Sequence, residues 1–108
     1  MLVVAPCTSN TLAKFANAVT DTPVTMAMKA HARSQNAPIV IALSSNDALG
    51  NSLRNIGYLY NTKNVYFCPM TEDVSLNKPN SLVSVYERLI ETCEYALNGR
   101  QVRGVFGR

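Results

Sequence analysis

The chain has 108 residues, of which 47% are hydrophobic and 16% are charged, and its net charge is +3. This length allows one small domain, and this composition is typical of a packed globular protein and excludes a disordered chain. The ten Lys and Arg residues form no run, so we expect neither nucleic acid nor a membrane surface as a partner. No apolar stretch is long enough to span a bilayer, and the start of the chain lacks the basic region of a signal peptide.

The cysteines indicate the cellular compartment. There are three, Cys7, Cys68 and Cys93, and none has C-x-x-C spacing. An odd number without that spacing argues against a disulfide framework and against a structural zinc site. We therefore expect a protein of the reducing cytoplasm that holds no metal.

A buried-strand pattern at residues 2–5 breaks at Pro6 and leads into a turn rich in hydroxyl and amide groups. A helix follows, with Thr8 or Ser9 as its N-cap. Its apolar positions have the spacing of a helix with one buried face: Leu12, Phe15, Ala16 and Val19. Open α/β sheets bind ligands at the carboxyl ends of their parallel strands, where helix N–H groups and side-chain oxygens converge. This turn therefore predicts a ligand site.

Two helices and a second strand are predicted in the middle of the chain. Pro23 begins a helix that ends before Pro38. Residues 39–43 are apolar on both faces of the pleat, which is typical of a strand buried between two helical layers. A polar turn follows at residues 44–47, and a short helix is predicted over residues 51–60.

The last part of the chain predicts one more strand, a loop and a long helix. The strand, residues 65–68, stops at Pro69, and the loop covers residues 70–80. The apolar positions of the helix are Leu82, Val85, Tyr86, Leu89, Ile90, Cys93 and Leu97. Gly99 ends this helix, and residues 100–108 are expected to be a mobile tail.

Three parallel strands with helices between them predict an α/β fold with three layers. A parallel sheet needs both faces covered, and three strands with four helices leave an open edge. The first strand also begins at the first residues of the chain. We therefore expect the second half of a larger domain, or a domain that completes its sheet against a partner.

Residues 5–17, with the sequence APCTSNTLAKFAN, resemble the signature P-A-S-A-N-T-x-A-K-x-A-N of the homo-oligomeric flavin-containing cysteine decarboxylases. The resemblance implies a partial flavoprotein domain over residues 1–108, with a Rossmann-like parallel sheet. It also implies that the cofactor is FMN, bound between neighbouring subunits. The full domain of that family has a further strand and a phosphate-binding loop before the signature, and this sequence has neither.

Four further blocks resemble one branch of the same superfamily. They are residues 20–24, 45–50, 62–64 and 78–81. That branch dehydrogenates a cyclic precursor to a pyridine dicarboxylate during endospore formation. It works with a second subunit that resembles nicotinamide-binding dehydrogenases. The resemblance therefore implies an oxidoreductase subunit with a small dicarboxylate substrate.

The resemblance also implies a set of site residues. Those expected to bind the flavin are Pro6, Thr8, Ser9, Asn10, Thr11, Ser44 and Ser45. The decarboxylases carry a second motif, P-x-M-N-x-x-M-W, of which this chain keeps only Asn46. In the decarboxylases that asparagine contacts the substrate carboxylate, so Asn46 is the expected catalytic residue. The loss of the flanking Pro, Met and Trp argues against cysteine decarboxylation.

Several alternatives stay open. One alternative is that these residues bind no ligand. Thr8 or Ser9 would then be a helix cap, and residues 44–47 would be a turn, because Ser, Asn and Asp side chains mimic backbone turns. Cys7 can be a reactive thiol at a helix N-terminus or a small residue that fills a tight turn. The whole chain can be a non-catalytic assembly module that has lost the flavin, or another flavin-dependent decarboxylase or prenyltransferase.

Overall fold

The computed structural model describes residues 1–34, 37–72 and 80–106. Its central strand, β2 (Ile39–Ser45), pairs in parallel with β1 (Leu2–Cys7) on one side and with β3 (Val65–Phe67) on the other. The three parallel strands and the α/β class that the sequence predicts are confirmed.

The middle of β2 is buried on both of its faces. Its first five residues are at most 1% exposed. Ile39, Ile41 and Leu43 belong to one core cluster, and Val40 and Ala42 alternate with them and lie on the opposite face. Burial of a large aliphatic side chain contributes about 1.5–3 kcal/mol. This strand therefore requires cover on both sides of the sheet.

Four helices provide that cover: α1 (Ser9–Ala16), α2 (Pro23–Ala32), α3 (Leu53–Tyr60) and α4 (Leu89–Leu97). α1 packs against α2, α3 and β2. Leu12 of α1, Met28 of α2 and Ile56 of α3 belong to the core cluster. α4 packs against β2 and β3, and its buried residues Thr92 and Ala96 lie outside that cluster. The sheet therefore lies between two helical layers, as predicted.

The sheet also has an antiparallel part, which the sequence does not predict. Two short strands, β4 (Met70–Glu72) and β5 (Leu82–Ser84), run antiparallel to each other, and β5 runs antiparallel to the last two residues of β2. The sequence predicts a loop over residues 70–80, where β4 lies, and the first turn of a helix at Leu82, where β5 begins. The Ser84 hydroxyl donates to the carbonyl oxygen of Leu43 at 2.7 Å, which ties β5 to β2. Pairing partners distant in sequence thus determine these strands.

The last helix is shorter than predicted. A 3₁₀ turn, Tyr86–Arg88, precedes α4, which begins only at Leu89. The predicted stop at Gly99 is confirmed, because this residue has a φ of 73°. The N–H of Arg100 donates to the carbonyl oxygen of Tyr95 at 3.0 Å and closes the helix end.

The helices after β1 also differ in length from their predictions. α1 ends at Ala16, before the predicted Val19, which is 43% exposed. Ala18 has a φ of 61°, a left-handed conformation that a helix cannot contain. α2 begins at Pro23, as predicted, because proline suits the first helical position.

The segment after α4 packs against the sheet. The Gln101 side chain donates to the carbonyl oxygen of Phe67 at 2.7 Å and accepts from the N–H of Phe67 at 2.8 Å. Val102 is 2% exposed, and the carbonyl oxygen of Val105 accepts from the N–H of Met70 at 2.7 Å. These contacts argue against a mobile tail as far as residue 105, although the mobility of the whole segment stays a prediction.

Some predictions fall on residues outside those described. The second helix is predicted to close at residues 34–36, of which 35 and 36 lie outside the described ranges, and α2 already ends at Ala32. Residues 73–79, most of the predicted loop, also lie outside them. Two residues of the block at 78–81 and the last two of the tail also lie outside the described ranges.

β1 forms an edge of the sheet. Among the residues described, only β2 pairs with it. A groove of about 400 Å³ runs beside β1 and is lined by apolar residues of β1 and of the start of α2, among them Val3 and Val24. An edge strand with apolar neighbours is the kind of strand that can pair with another chain.

We predict that the isolated chain self-associates through β1. Val3 is 39% exposed on this strand. Val3→Lys should raise the monomer fraction in sedimentation velocity, because a charge on an edge strand opposes pairing with a second strand. Val19→Lys is the matched control, because Val19 is 43% exposed but lies outside the strands. A monomeric unsubstituted chain with a cooperative melt well above ambient temperature would contradict the prediction.

Candidate functional site

Two of the predicted polar segments meet at the carboxyl edge of the sheet. Cys7, the last residue of β1, lies opposite Leu43 in β2, so both strands deliver their next residues to the same edge. Ser9, in the first turn of α1, is among the groups that lower the pKa of the carboxyl of Asp47, which follows β2. The structure therefore brings the two segments together, as expected for the carboxyl ends of parallel strands.

The segment between β1 and α1 presents hydroxyl, amide and N–H groups. Thr8 caps α1, because its hydroxyl accepts from the N–H of Thr11 at 3.2 Å and its carbonyl oxygen accepts from the N–H of Leu12 at 2.9 Å. The first N–H groups of a helix have no partner within the helix, so those of Ser9 and Asn10 point out of the end of α1. The side chain of Asn10 is exposed. At this end the helix dipole favours electron-rich groups.

Pro6 and Cys7 shape the same segment. Pro6 is exposed and has no N–H to donate, and the pairing register of β1 shifts between Val4 and Cys7. Cys7 is fully buried, and this burial raises the pKa of its thiol to about 12. Such a thiol stays protonated at neutral pH and is a poor nucleophile. The interpretation of Cys7 as a packing residue is therefore favoured over that of a reactive thiol.

Asp47 organises the turn between β2 and α3. The hydroxyls of Ser45 and Ser52 both donate to its Oδ1, at 2.7 and 2.8 Å. The Ser45 hydroxyl also accepts from the N–H of Asp47 at 3.2 Å. The hydrogen bonds from Ser45 and Ser52 hold the pKa of the Asp47 carboxyl below its usual value. The carboxylate is therefore ionised at neutral pH.

Ser44 and Ser45 belong to β2 and not to a turn, which corrects the prediction for residues 44–47. They pair with Val83 and Leu82 of β5. Because side chains alternate along a strand, Ser45 is buried and Ser44 is exposed. The Ser45 hydroxyl is already bonded to Asp47, so of these two residues it is Ser44 whose side chain is open to a ligand.

Asn46 is exposed at the start of the turn. Its carboxamide carries two N–H donors, which suit the oxygens of a carboxylate, since these only accept. Asn46 stands between Ser45 and Asp47, whose hydrogen bonds hold the backbone on both sides of it. The Ser81 hydroxyl adds a bond to the carbonyl oxygen of Ser45 at 3.3 Å. The exposed amide is thus carried by a well-supported backbone.

Sequence reasoning missed Asp47 and Ser52 as parts of this site. The sequence assigns Asp47 only to a turn, and Ser52 only to the start of the helix predicted over residues 51–60. One signal was available, because a hydroxyl or carboxylate side chain two residues from its partner is typical of a side-chain turn, and Ser45 and Asp47 have that spacing. The contact from Ser52 depends on the path of the intervening chain, which spacing alone does not predict.

Other features of the molecule contribute less to a ligand site. At the end of α4, a second groove of about 430 Å³ is lined by Glu94, Tyr95, Asn98 and Arg100, and it contains none of the predicted site residues. Across the described ranges, no group of three or more His, Cys, Asp or Glu residues could hold a metal ion. The part of the chain that the structure describes also has no helix with the length and apolar character needed to cross a membrane.

The chain is similar to known proteins over most of its length. The model of the Flavoprotein family matches residues 1–93. The B-type subunit of dipicolinate synthase from Bacillus subtilis (strain 168) is 44% identical over 104 residues, which cover 96% of this chain and 52% of that protein. The crystal structure of the corresponding protein from Bacillus halodurans has a TM-score of 0.92 and 49% identity, and the match covers 98% of this chain and 54% of that one. This chain thus spans about half the length of the curated relative it matches.

The family match and the geometry agree. Residues 1–93 contain the three parallel strands and both polar segments at their carboxyl edge. The same arrangement of strands and helices occurs in a solved structure at 49% identity, with a TM-score of 0.92. By fold and by sequence, this chain belongs to the Flavoprotein family.

Proposed function

We propose that this chain binds FMN and forms part of a dipicolinate synthase subunit that dehydrogenates a dihydrodipicolinate-type precursor to dipicolinate. The observation that carries the proposal is the meeting of two polar segments at the carboxyl edge of β1 and β2, where the neutral side chains of Asn10 and Asn46 are both exposed. The relatives support it, because both are B-type subunits of dipicolinate synthase and share 44% and 49% identity with this chain.

The groups at this edge fit a flavin ring. The polar edge of the ring has oxygens and nitrogens that accept hydrogen bonds and an N–H that donates one. The N–H groups of Ser9 and Asn10 can donate, and the Asn10 carboxamide can both donate and accept. The proposed flavin-binding residues are Pro6, Thr8, Ser9, Asn10, Thr11, Ser44 and Ser45.

Asn46 is the proposed catalytic residue. Its N–H groups would donate to a carboxylate of the substrate and so orient the ring that is oxidised. Conversion of a dihydropyridine to a pyridine removes one hydride and one proton, and the flavin, when bound, supplies the two-electron acceptor. The protein's own contribution is to orient the substrate, because the neutral amide of Asn46 would bind the substrate carboxylate.

We further propose that the protein forms homo-oligomers and works in the cytoplasm of sporulating cells with the dehydrogenase-like, A-type subunit of dipicolinate synthase. The B-type designation of the relatives implies a second kind of subunit. The free edge of β1 offers a surface for association. In a protein of the relatives' length, the remaining half would complete the sheet and the flavin site.

A second candidate function is a non-catalytic assembly module that has lost the flavin. It is favoured by the hydroxyls of Thr8 and Ser45, which already have hydrogen-bond partners within the protein. Titration with flavin separates the two functions, because such a module would bind none.

We predict different effects for the two exposed amides. Asn10→Ala should weaken flavin binding about ten-fold or more, because a lost hydrogen bond costs on the order of 1 to 3 kcal/mol. Asn46→Ala should leave flavin affinity unchanged and raise the KM for the dicarboxylate substrate by a similar factor. Flavin affinity is measured by fluorescence quenching, and turnover is measured in the assembly reconstituted with the dehydrogenase-like partner.

Asn98→Ala is the matched control for these two variants, because Asn98 is an exposed asparagine at the end of α4. It should change neither flavin affinity nor turnover. Equal losses of flavin affinity from Asn10→Ala and Asn46→Ala would show that the division of roles is wrong. No effect of either variant would leave Asn10 and Asn46 with only local structural roles.

We also predict that this chain by itself binds FMN weakly and distinguishes poorly between FMN and riboflavin. All the proposed site residues are neutral, so they offer the phosphate no charge-assisted hydrogen bonds, which are the stronger kind. The two dissociation constants should agree within about three-fold, roughly 0.7 kcal/mol. Fluorescence titration of each compound measures them. Tight, stoichiometric binding of FMN that riboflavin does not share would mean that this chain also holds the phosphate.

A further inference from the structure

Asp47 connects two parts of the candidate site. The hydroxyls of Ser45 and Ser52 donate to its Oδ1 at 2.7 and 2.8 Å. Ser45 is the last residue of β2, and Ser52 is the residue before α3. One carboxylate therefore joins the two ends of the turn that carries Asn46.

The backbone on both sides of Asn46 depends on this carboxylate and its neighbours. The N–H of Asp47 donates to the Ser45 hydroxyl at 3.2 Å, and the carbonyl oxygen of Asp47 accepts from the N–H of Gly50 at 2.9 Å. The Ser81 hydroxyl donates to the carbonyl oxygen of Ser45. Because Asn46 lies between the residues that these bonds hold, its exposed amide is aimed by them and not by contacts of its own.

The ionised state of Asp47 strengthens this arrangement. Hydrogen bonds to a charged acceptor are roughly twice as strong as those between neutral groups. The bonds from Ser45 and Ser52 keep the pKa of this carboxyl below its usual value, so they act on a carboxylate at neutral pH. Removal of the carboxylate would remove the side-chain bonds that join the end of β2 to the start of α3.

We propose that Asp47 is a positioning residue that holds Asn46 in the geometry needed to bind a substrate carboxylate. The inference deepens the proposed function and rests on it, because Asp47 matters here only if Asn46 binds the substrate. Asp47 acts through Asn46 and contacts neither substrate nor flavin.

A double-mutant cycle tests the inference. The probe is dipicolinate, titrated into the full chain in saturating FMN, and its binding is followed by the NMR signal of a labelled side-chain amide or by calorimetry. Asp47→Ala should weaken binding of the probe about ten-fold, as expected for a misplaced hydrogen bond. In the Asn46→Ala background, Asp47→Ala should cause no further loss, because residues that act as one unit are not additive.

Three further variants separate positioning from general stability. Ser52→Ala removes one of the bonds to Asp47 and should cause a smaller loss of probe affinity than Asp47→Ala. Asp47→Asn keeps the size of the side chain, so it replaces Asp47→Ala in the cycle if the latter does not fold. Glu91→Ala is the matched control, because it removes a carboxylate of α4 that pairs with Arg88 at 2.9 Å. This variant should not change probe affinity. Circular dichroism melts report the stability of each variant.

The outcomes distinguish the two levels of the proposal. If Asn46→Ala weakens binding of the probe and Asp47→Ala causes the same loss in both backgrounds, the positioning role is overturned while the proposed role of Asn46 stands. If Asn46→Ala has no effect on the probe, the proposed role of Asn46 fails, and the positioning role fails with it. A loss caused by Asp47→Ala only where Asn46 is present supports both.

Discussion

The burial of β2 on both faces is the constraint on which the rest of the structure depends. A strand with Ile39, Ile41 and Leu43 on one face and Val40 and Ala42 on the other can lie only between two layers. The parallel pairing of β1 with β2 then brings the carboxyl ends of both strands to one edge. A shift of the register by one residue would turn the buried side chains of β1 to the wrong face, so burial also determines where the two polar segments meet.

The exposed side chains of the candidate site are neutral, and its ionised group, Asp47, is bonded to serine hydroxyls. The exposed side chains include Asn10, Ser44 and Asn46, whereas the charge of Asp47 is balanced by serine hydroxyls that point to it. This division suits an anionic ligand, because a free carboxylate at the exposed positions would repel it. Serine hydroxyls stabilise the charge without a cation, so the site keeps amide and hydroxyl donors for the ligand.

The edge strand β1 lies between an apolar groove and the candidate site. Its free edge lies beside an apolar groove, and its carboxyl end carries Pro6 and leads to Thr8, the cap of α1. A strand that pairs with β1 therefore lies next to the segment proposed to bind the flavin. Under the proposed function, association along β1 and binding of the flavin would therefore involve the same strand.

The sequence by itself determined the features that depend on local pattern. Residues 39–43 are apolar on both faces of the pleat, so they had to form a buried strand. The hydroxyl of Thr8 predicted a helix cap, and Gly99 predicted a helix end, because each acts within a few residues of its own position. The two polar segments were found in the same way, since each directly follows a predicted strand.

Only the tertiary structure decided the features that depend on distant partners. Leu82 and Ser84 form a strand because β2 and β4 offer them pairing groups, although the apolar spacing around them also fits a helix. Asp47 receives a hydrogen bond from Ser52, which lies five residues further along the chain, just before α3. Local periodicity contains no information on such partners, because their approach depends on how the whole chain packs around β2.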